Sequence, residues 1–260
     1  MKHTHVVMFS GGVGSWAAAK RVAERHGTEN LILLFADTLM EDEDLYRFLD
    51  EAAEDVGGRL VKVADGRNPW DVFNDVRFLG NTRVDPCSKI LKRELLDKWL
   101  DANCDRDHTT VHLGISWDEE HRFVRAKSRF DSKGWTCSAP LCEEPLPPMG
   151  SEWALEELDK AGIARPRLYA MGFKHNNCGG FCIKAGQAHF ELLLRVMPER
   201  YAYHEEQEQD IRMTLGDVAI LRDRRGGTTK PMTLRAFRKR LEAKHGFDEN
   251  EWGGCGCFSG

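Results

Sequence analysis

Apolar residues come in short blocks, and glycine or charged residues punctuate them. Residues 5–9 form a β-branched and apolar run that stops at the turn Ser10-Gly11-Gly12-Val13-Gly14-Ser15. Residues 16–25 then read as an Ala-rich helix. Residues 31–36 are a continuous apolar run of strand length, as expected of a parallel strand buried on both faces. Thr38 and Glu41 have capping-box spacing and predict a helix over 41–56; residues 59–63 predict a third strand. Asp85-Pro86 opens a helix to about residue 100 with Pro in its first turn. Residues 110–114 read as a further strand, and Ser116 with Glu119 repeats the capping-box spacing. Strands alternating with helices predict right-handed βαβ units. The expected fold is α/β, a Rossmann-like parallel sheet with helices on both faces, over residues 1–135.

The pattern changes in residues 136–260, which predict a smaller helical, Cys-containing region. Residues 140–148 read as a loop, and 151–161, 184–196 and 199–213 as helices. A Cys/Gly knot sits at 175–182. A small strand at 218–221 and the turn Arg225-Gly226-Gly227 suggest a hairpin, and 233–245 a basic helix before the tail Gly253-Gly254-Cys255-Gly256-Cys257. Trp99, Trp117, Trp135, Trp153 and Phe173 read as core. His3, His5 and His26 carry no partner signal.

Composition narrows the class. The 260 residues are 41% hydrophobic and 30% charged, with a formal net charge of -5, an ordinary globular mixture. Mean hydropathy is -0.51, and no apolar run approaches the roughly 20 residues of a spanning helix. With no signal-peptide core, a cytoplasmic protein that makes no membrane contact is expected. Eight cysteines in a reducing compartment point to metal or redox chemistry rather than a disulfide framework.

A strand, then glycines, then a helix start is an anion trap: the backbone N–H groups turn inward and the helix dipole adds partial positive charge. Ser10, Gly11, Gly12, Gly14 and Ser15 are therefore candidate phosphate-binding residues. A Walker A loop is excluded, since no Lys precedes the Ser at the helix start. A dinucleotide fingerprint aligns as Gly12-x-Gly14-x-x-Ala17 with Asp37 ending the second strand, which leaves a nicotinamide oxidoreductase as one alternative. An E1-like adenylation loop also reads Gly-Gly-Val-Gly-Ser, but Phe9 stands where that family has its first glycine.

Ser10-Gly11-Gly12-Val13-Gly14-Ser15 also satisfies the PP-loop pattern Ser-Gly-Gly-x-x-Ser. Phe35-Ala36-Asp37-Thr38 follows, then Asp85-Pro86-Cys87-Ser88-Lys89 with Lys92, then Gly114 through Glu119 and Arg122. In this order the segments resemble the adenine nucleotide alpha hydrolase superfamily and, within it, the phosphoadenosine phosphosulfate reductase family. The resemblance covers residues 6 to about 125. It implies an adenine-nucleotide-dependent enzyme of sulfur metabolism that takes ATP or phosphoadenosine phosphosulfate. It places Asp37 and Thr38 near the nucleoside, and Lys89, Arg122 and Arg125 at the anionic group. Val13 and Gly14 stand where many PP-loops carry Lys and Asp, so a loop cation and a magnesium-associated carboxylate are missing.

Cys178 and Cys182, spaced Cys-x-x-x-Cys between glycines, supply two ligands where a tetrahedral site needs four. Cys255 and Cys257 are one source of the other two; Cys87, Cys137, Cys142, His175 and His189 are others. The resemblance favours an iron–sulfur cluster, and the spacing equally allows zinc. Alternatively Cys257, in a glycine-rich tail, is a catalytic thiolate that works with a thiol or persulfide donor. Cys104 reads as structural. Residues 222–244 carry nine basic and two acidic residues, a surface able to meet tRNA or DNA. That would suit an ATP pyrophosphatase that thiolates nucleic acid. A nucleotide-binding module whose loop lost its catalytic residues is a further alternative.

Overall fold

The structure is a computed structural model and describes residues 2–80 and 85–243. In chain order the first half runs β1 (Thr4–Met8), α1 (Val13–His26), β2 (Leu31–Asp37), α2 (Glu43–Val56), β3 (Arg59–Ala64) and α3 (Pro69–Asp75). A long helix follows: α4 (Pro86–Ser88), a π-helical stretch Lys89–Glu94, and α5 (Leu95–Asn103). Next come β4 (Thr109–Leu113), α6 (Glu120–Asp131) and β5 (Thr136–Ser138). The rest is α7 (Glu152–Lys160), α8 (Arg167–Ala170), α9 (Gln187–Val196), α10 (Pro198–Leu215), a hairpin of β6 (Leu221–Asp223) and β7 (Lys230–Met232), and α11 (Leu234–Glu242).

The five strands form a parallel sheet in the order β3-β2-β1-β4-β5, the expected α/β Rossmann-like layout. Strand parity decides which core each side chain enters. Val7, Phe9, Leu31, Leu33 and Phe35 face α1 and α2. Val6, Met8, Ile32, Leu34 and Ala36 face the opposite core, with Leu96 and Leu100 of α5 and Phe130 of α6. β2 is apolar from Leu31 to Ala36 because both of its faces are covered, and it ends on Asp37. Trp135 and Phe173 are buried, as expected of core residues, and so is Trp70, which the sequence reading left aside.

The two segments are interleaved. β5 extends the sheet to Ser138, and Leu155 and Leu158 of α7 pack into the α1 core. Trp70 and Phe73 of α3 join Phe181, Phe190, Tyr201 and Phe237 in a third core. Buried Glu208 on α10 accepts the Ile220 amide at 2.9 Å and the Leu234 amide at 2.6 Å, tying the hairpin region and α11 to the helices.

Neither capping box forms as spaced. α2 starts at Glu43 with Asp42 as its cap, and the Thr38 hydroxyl instead donates to the buried Glu41 carboxylate at 2.9 Å. The Ser116 hydroxyl caps nothing, and α6 begins only at Glu120. Both segments turn early: Thr38 is spent on Glu41, whose carboxylate Lys92 and Cys178 also claim, and the Ser116 hydroxyl is left without a partner.

Candidate active site

The glycine turn after β1 is built for close approach. Gly11 has φ +76, and a Cβ there would meet the Leu45 side chain at 3.0 Å. Gly12 caps α1 in an extended conformation and supplies no side-chain cap of its own, and the first turn holds no acid. The helix start therefore keeps its partial positive charge. The Val13 amide donates to the Tyr169 hydroxyl at 3.3 Å. The Ser15 hydroxyl donates to the Gly12 carbonyl at 2.7 Å and lies 3.4 Å from that of Ser10. Gly14 and Gly114 let α1 sit directly on the end of β4: a Cβ on Gly114 would fall 2.6 Å from Ser15 Cα.

This turn forms one end of a cavity of about 490 Å3 at the C-terminal ends of β1 and β4. Its walls include Ser10, Gly12, Gly14, Ser15, Ser116, Arg122, Lys174 and His175. Arg122 pairs through Nη1 with Glu119, while its Nε is buried without a hydrogen-bond partner, as is the Ser116 hydroxyl. Buried polar atoms of this kind are rare unless a ligand completes them. Asp118, also on the wall, accepts the Gly150 amide at 3.2 Å. Desolvation, and then the Arg122 cation, hold the His175 imidazole below its usual range, so it lines the cavity as a neutral group.

Other predicted residues stand elsewhere. The Asp37 carboxylate accepts the Leu39 amide at 2.8 Å and the Tyr46 hydroxyl at 2.9 Å, and burial with that contact pushes the Tyr46 phenol up. Thr38 is buried against Glu41, and neither Asp37 nor Thr38 lines the cavity. Lys89 is exposed and pairs with Glu94 at 3.6 Å, away from the cavity wall. Arg125 is also exposed and lies along its own helix against the His121 carbonyl. Lys92 is buried instead, 3.6 Å from Glu41.

Sequence reasoning missed the joint around Glu41. Its carboxylate accepts the Thr38 hydroxyl and the Cys178 amide and faces Lys92. Arg200 donates to the Met40 and Glu41 carbonyls and covers Gly179, where a Cβ would lie 1.9 Å from its Nη2. Asn176, also buried, donates to the Gly11 carbonyl at 2.8 Å and links this knot to the glycine turn. The only local signal was the run Asn176-Asn177-Cys178-Gly179-Gly180, whose last three residues all have positive φ.

Cys178 and Cys182 flank that turn, and Cys87 and Cys182 border the third core. Among the described residues no group of three His, Cys, Asp or Glu could hold a metal ion, so these residues alone do not fit an iron–sulfur or zinc centre. Cys255 and Cys257 lie outside the described residues. His189 is engaged with the Gly180 carbonyl at 2.7 Å. Cys137 sits on the far side of the sheet with its thiol pushed up to about 12 by burial, and Cys142 is raised to about 11 by the same cause. Burial also raises the Cys104 thiol.

The basic segment is largely committed to the fold. Arg235 and Arg238 both grip Glu205, and Arg240 is buried against Gln187 and Asp223. Among the described residues, no helix is long and apolar enough to cross a membrane.

No protein-family model and no curated protein matches the sequence. Among solved structures the chain is similar to a phosphoadenylyl-sulfate (PAPS) reductase from Candida auris, crystallised as a phosphate complex. The two share 13% identity at a TM-score of 0.42, over 65% of this chain and 78% of that one. At that distance the chemistry of the cavity rests on its own residues.

Proposed function

We propose that this chain is an adenine-nucleotide-dependent enzyme of sulfur metabolism, of the phosphoadenosine phosphosulfate reductase kind, and that the turn 10–15 holds the anionic tail of its substrate. One observation carries this reading: Arg122, whose Nε is buried without a hydrogen-bond partner, lines the same cavity as a helix start capped only by a glycine and one tyrosine hydroxyl. Helix amides and a guanidinium are complementary to a phosphate or sulfate oxygen.

In the reaction proposed, a thiolate attacks the sulfate sulfur of the phosphosulfate. The bond from sulfur to the phosphate oxygen breaks, and the nucleoside bisphosphate leaves. The turn amides, Ser15 and Arg122 stabilise the charge gathering on that departing phosphate. Cys257 is the proposed nucleophile; a second thiol then attacks its sulfur, releasing sulfite and leaving a disulfide. Lys174 and His175 border the same cavity and are the proposed neighbours of the sulfate end.

The test pairs calorimetry using phosphoadenosine phosphosulfate and ATP with an assay for sulfite released in the presence of a dithiol. Sulfite release without ATP is the expected result. Arg122→Ala should weaken phosphosulfate binding about 10- to 100-fold, the range of a hydrogen bond to a charged group. ATP consumption with pyrophosphate release would instead make the chain an adenylating sulfurtransferase. Binding of neither compound would overturn the nucleotide reading itself.

A further inference from the structure

α1 has a cavity at each end. The one by its C-terminus, of about 440 Å3, is lined by His3, His5, His26, His112, Arg25 and Glu143. Its polar side chains largely satisfy one another. His5 Nδ1 lies 3.0 Å from His112 Nε2, His112 Nδ1 lies 2.8 Å from the Ser138 hydroxyl, and Arg25 pairs with Glu143. The cavity by the N-terminus holds a polar side chain whose place packing does not explain. Asn176 is 1% exposed and stands in sequence between the buried Phe173 and Phe181. Burying a carboxamide costs free energy unless it is hydrogen-bonded. This one reaches across 165 positions to the Gly11 carbonyl, which accepts from its Nδ2 at 2.8 Å.

We propose that Asn176 is a positioning residue for the anionic end of the substrate: it sets the Gly11–Gly12 peptide so that the turn 10–15 offers the anion an amide hydrogen and withholds a carbonyl. This role rests on the nucleotide reading of the cavity and adds to it a residue that acts through the turn. In a trans peptide the carbonyl oxygen and the following N–H lie on opposite edges of one plane. Holding the Gly11 carbonyl therefore fixes the direction of the Gly12 N–H. Gly11, at φ +76, and Gly12 both lack a Cβ, so without a clamp this peptide is free to turn over. A carbonyl oxygen turned on a phosphate or sulfate repels it, whereas an amide hydrogen attracts it.

The next peptide is clamped in the same sense, and there the direction is seen. The Gly12 carbonyl accepts the Ser15 hydroxyl at 2.7 Å. The Val13 N–H, on the opposite edge, meets the hydroxyl of Tyr169, a residue of the cavity wall, at 3.3 Å. The side chain at 176 also fits its task. A carboxamide brings a donor to the carbonyl, whereas an ionised aspartate of the same shape has only acceptors.

The knot that carries Asn176 is held from two other directions. Glu41, beyond the end of β2, accepts the Cys178 amide, and Arg200 of α10 covers Gly179. Cys178, Gly179 and Gly180 all have positive φ, so the backbone doubles back within a few residues. Lys174, His175 and Asn177 of the same segment line the cavity. One segment thus supplies part of the wall and fixes the turn that the anion meets.

The test uses the full chain, with inorganic phosphate and phosphoadenosine phosphosulfate as probes. In a parent chain isotopically labelled at the glycine nitrogens, saturating phosphate should move the Gly12 amide proton downfield, the mark of a hydrogen bond to an anion. Asn176→Ala should weaken phosphosulfate binding about 3- to 10-fold, and Asn176→Asp, which sets an acceptor against the Gly11 carbonyl, about 10- to 100-fold. In both variants the Gly12 shift should shrink. A bond that only holds the fold together would lower the melting temperature and leave affinity and the Gly12 shift unchanged, and that result in either variant overturns the proposal. So does a parent chain that binds phosphate without moving Gly12, a measurement that needs no variant to fold. Binding of neither probe by the parent removes the nucleotide reading and this role together. Equal binding by parent and variants removes the role of Asn176 alone.

Discussion

The two ends of α1 face two cavities of opposite character. At the N-terminus the helix starts without a side-chain cap from its own cap residue, beside two serines and two glycines, on a cavity that Arg122 and Lys174 also line. At the C-terminus it presents His26 to His5 and His112. The peptide dipole sets these polarities, positive at the start and negative at the end. The side chains differ with them: Arg122 and Lys174 border the first cavity, and His5, His26 and His112 beside Arg25 and Glu143 border the second. The sheet is common to both, since β1 and β4 supply wall residues to each. What separates the two cavities is which end of a single helix the chain has folded residues around.

The largest effect should come from breaking the joint that fixes α1. A methyl on Gly114 would lie 2.6 Å from the Ser15 backbone, and neither side can give way without moving the helix. Gly114→Ala should destabilise the fold by about 3 kcal/mol, the upper range for overpacking. For a chain of this size that is a fall of about 6–12 °C in melting temperature. Gly12→Ala is the control, since its methyl would have 3.5 Å of room and its backbone is already extended. Similar melting temperatures for the two variants would mean that the close approach of α1 to β4 is not what holds the helix.

The next effect is a crossed one. Arg122→Ala should lose most phosphosulfate affinity, while His26→Gln, at the cavity by the other end of α1, should leave it as it was. A His26→Gln variant that also weakens phosphosulfate binding would show that the cavities are not independent and that the helix itself had shifted. The Lys89→Ala variant adds a milder check. Because that ammonium is exposed and paired with Glu94, its removal should change phosphosulfate binding less than twofold, within the few tenths of a kcal/mol that surface pairs contribute.

How much of this was legible depends on how far apart in sequence the partners lie. The glycine turn could be read because strand, turn and helix start are consecutive, and the parallel sheet followed from the apolar runs around it. Asp37 misled because the left-handed backbone at Leu39, φ 55, folds the chain so that the carboxylate takes the Leu39 amide and Tyr46. Arg122 and Lys89 have the same charge, and only the fold separates the one in the cavity from the one outside. The histidine cluster joins residues from both ends of the first 112 positions, so its members look isolated along the chain. Its one sequence trace is the alternation His5, Val7, Phe9, in which a polar residue starts a face that is otherwise apolar. Glu41 shows the same limit: its spacing to Thr38 fits a helix cap, yet Lys92 and Cys178 claim the carboxylate from far away.

A separate effect is a pH response in which two parts of the molecule oppose each other. His112 and His5 have folded values of about 3 and about 4, below the ordinary imidazole value of 6.5. As pH falls below 6.5 the unfolded chain takes up protons that the folded chain refuses, so the cluster withdraws stability through that window. Glu208 does the reverse. Burial raises it to about 7 from an ordinary 4.5, so between those values the folded chain holds a proton that the unfolded chain does not. Its contribution therefore grows as pH falls. His175, His189 and His204 are also held below the ordinary imidazole value by burial and add to the loss, so stability should decline by at least about 1 kcal/mol between pH 6.5 and 5.5. Glu208→Gln removes the opposing arm, so its urea midpoint should fall more steeply with acid than that of the parent chain. His112→Gln removes part of the first arm and should flatten the curve. If all three proteins lose stability in parallel, the acid response lies elsewhere in the molecule.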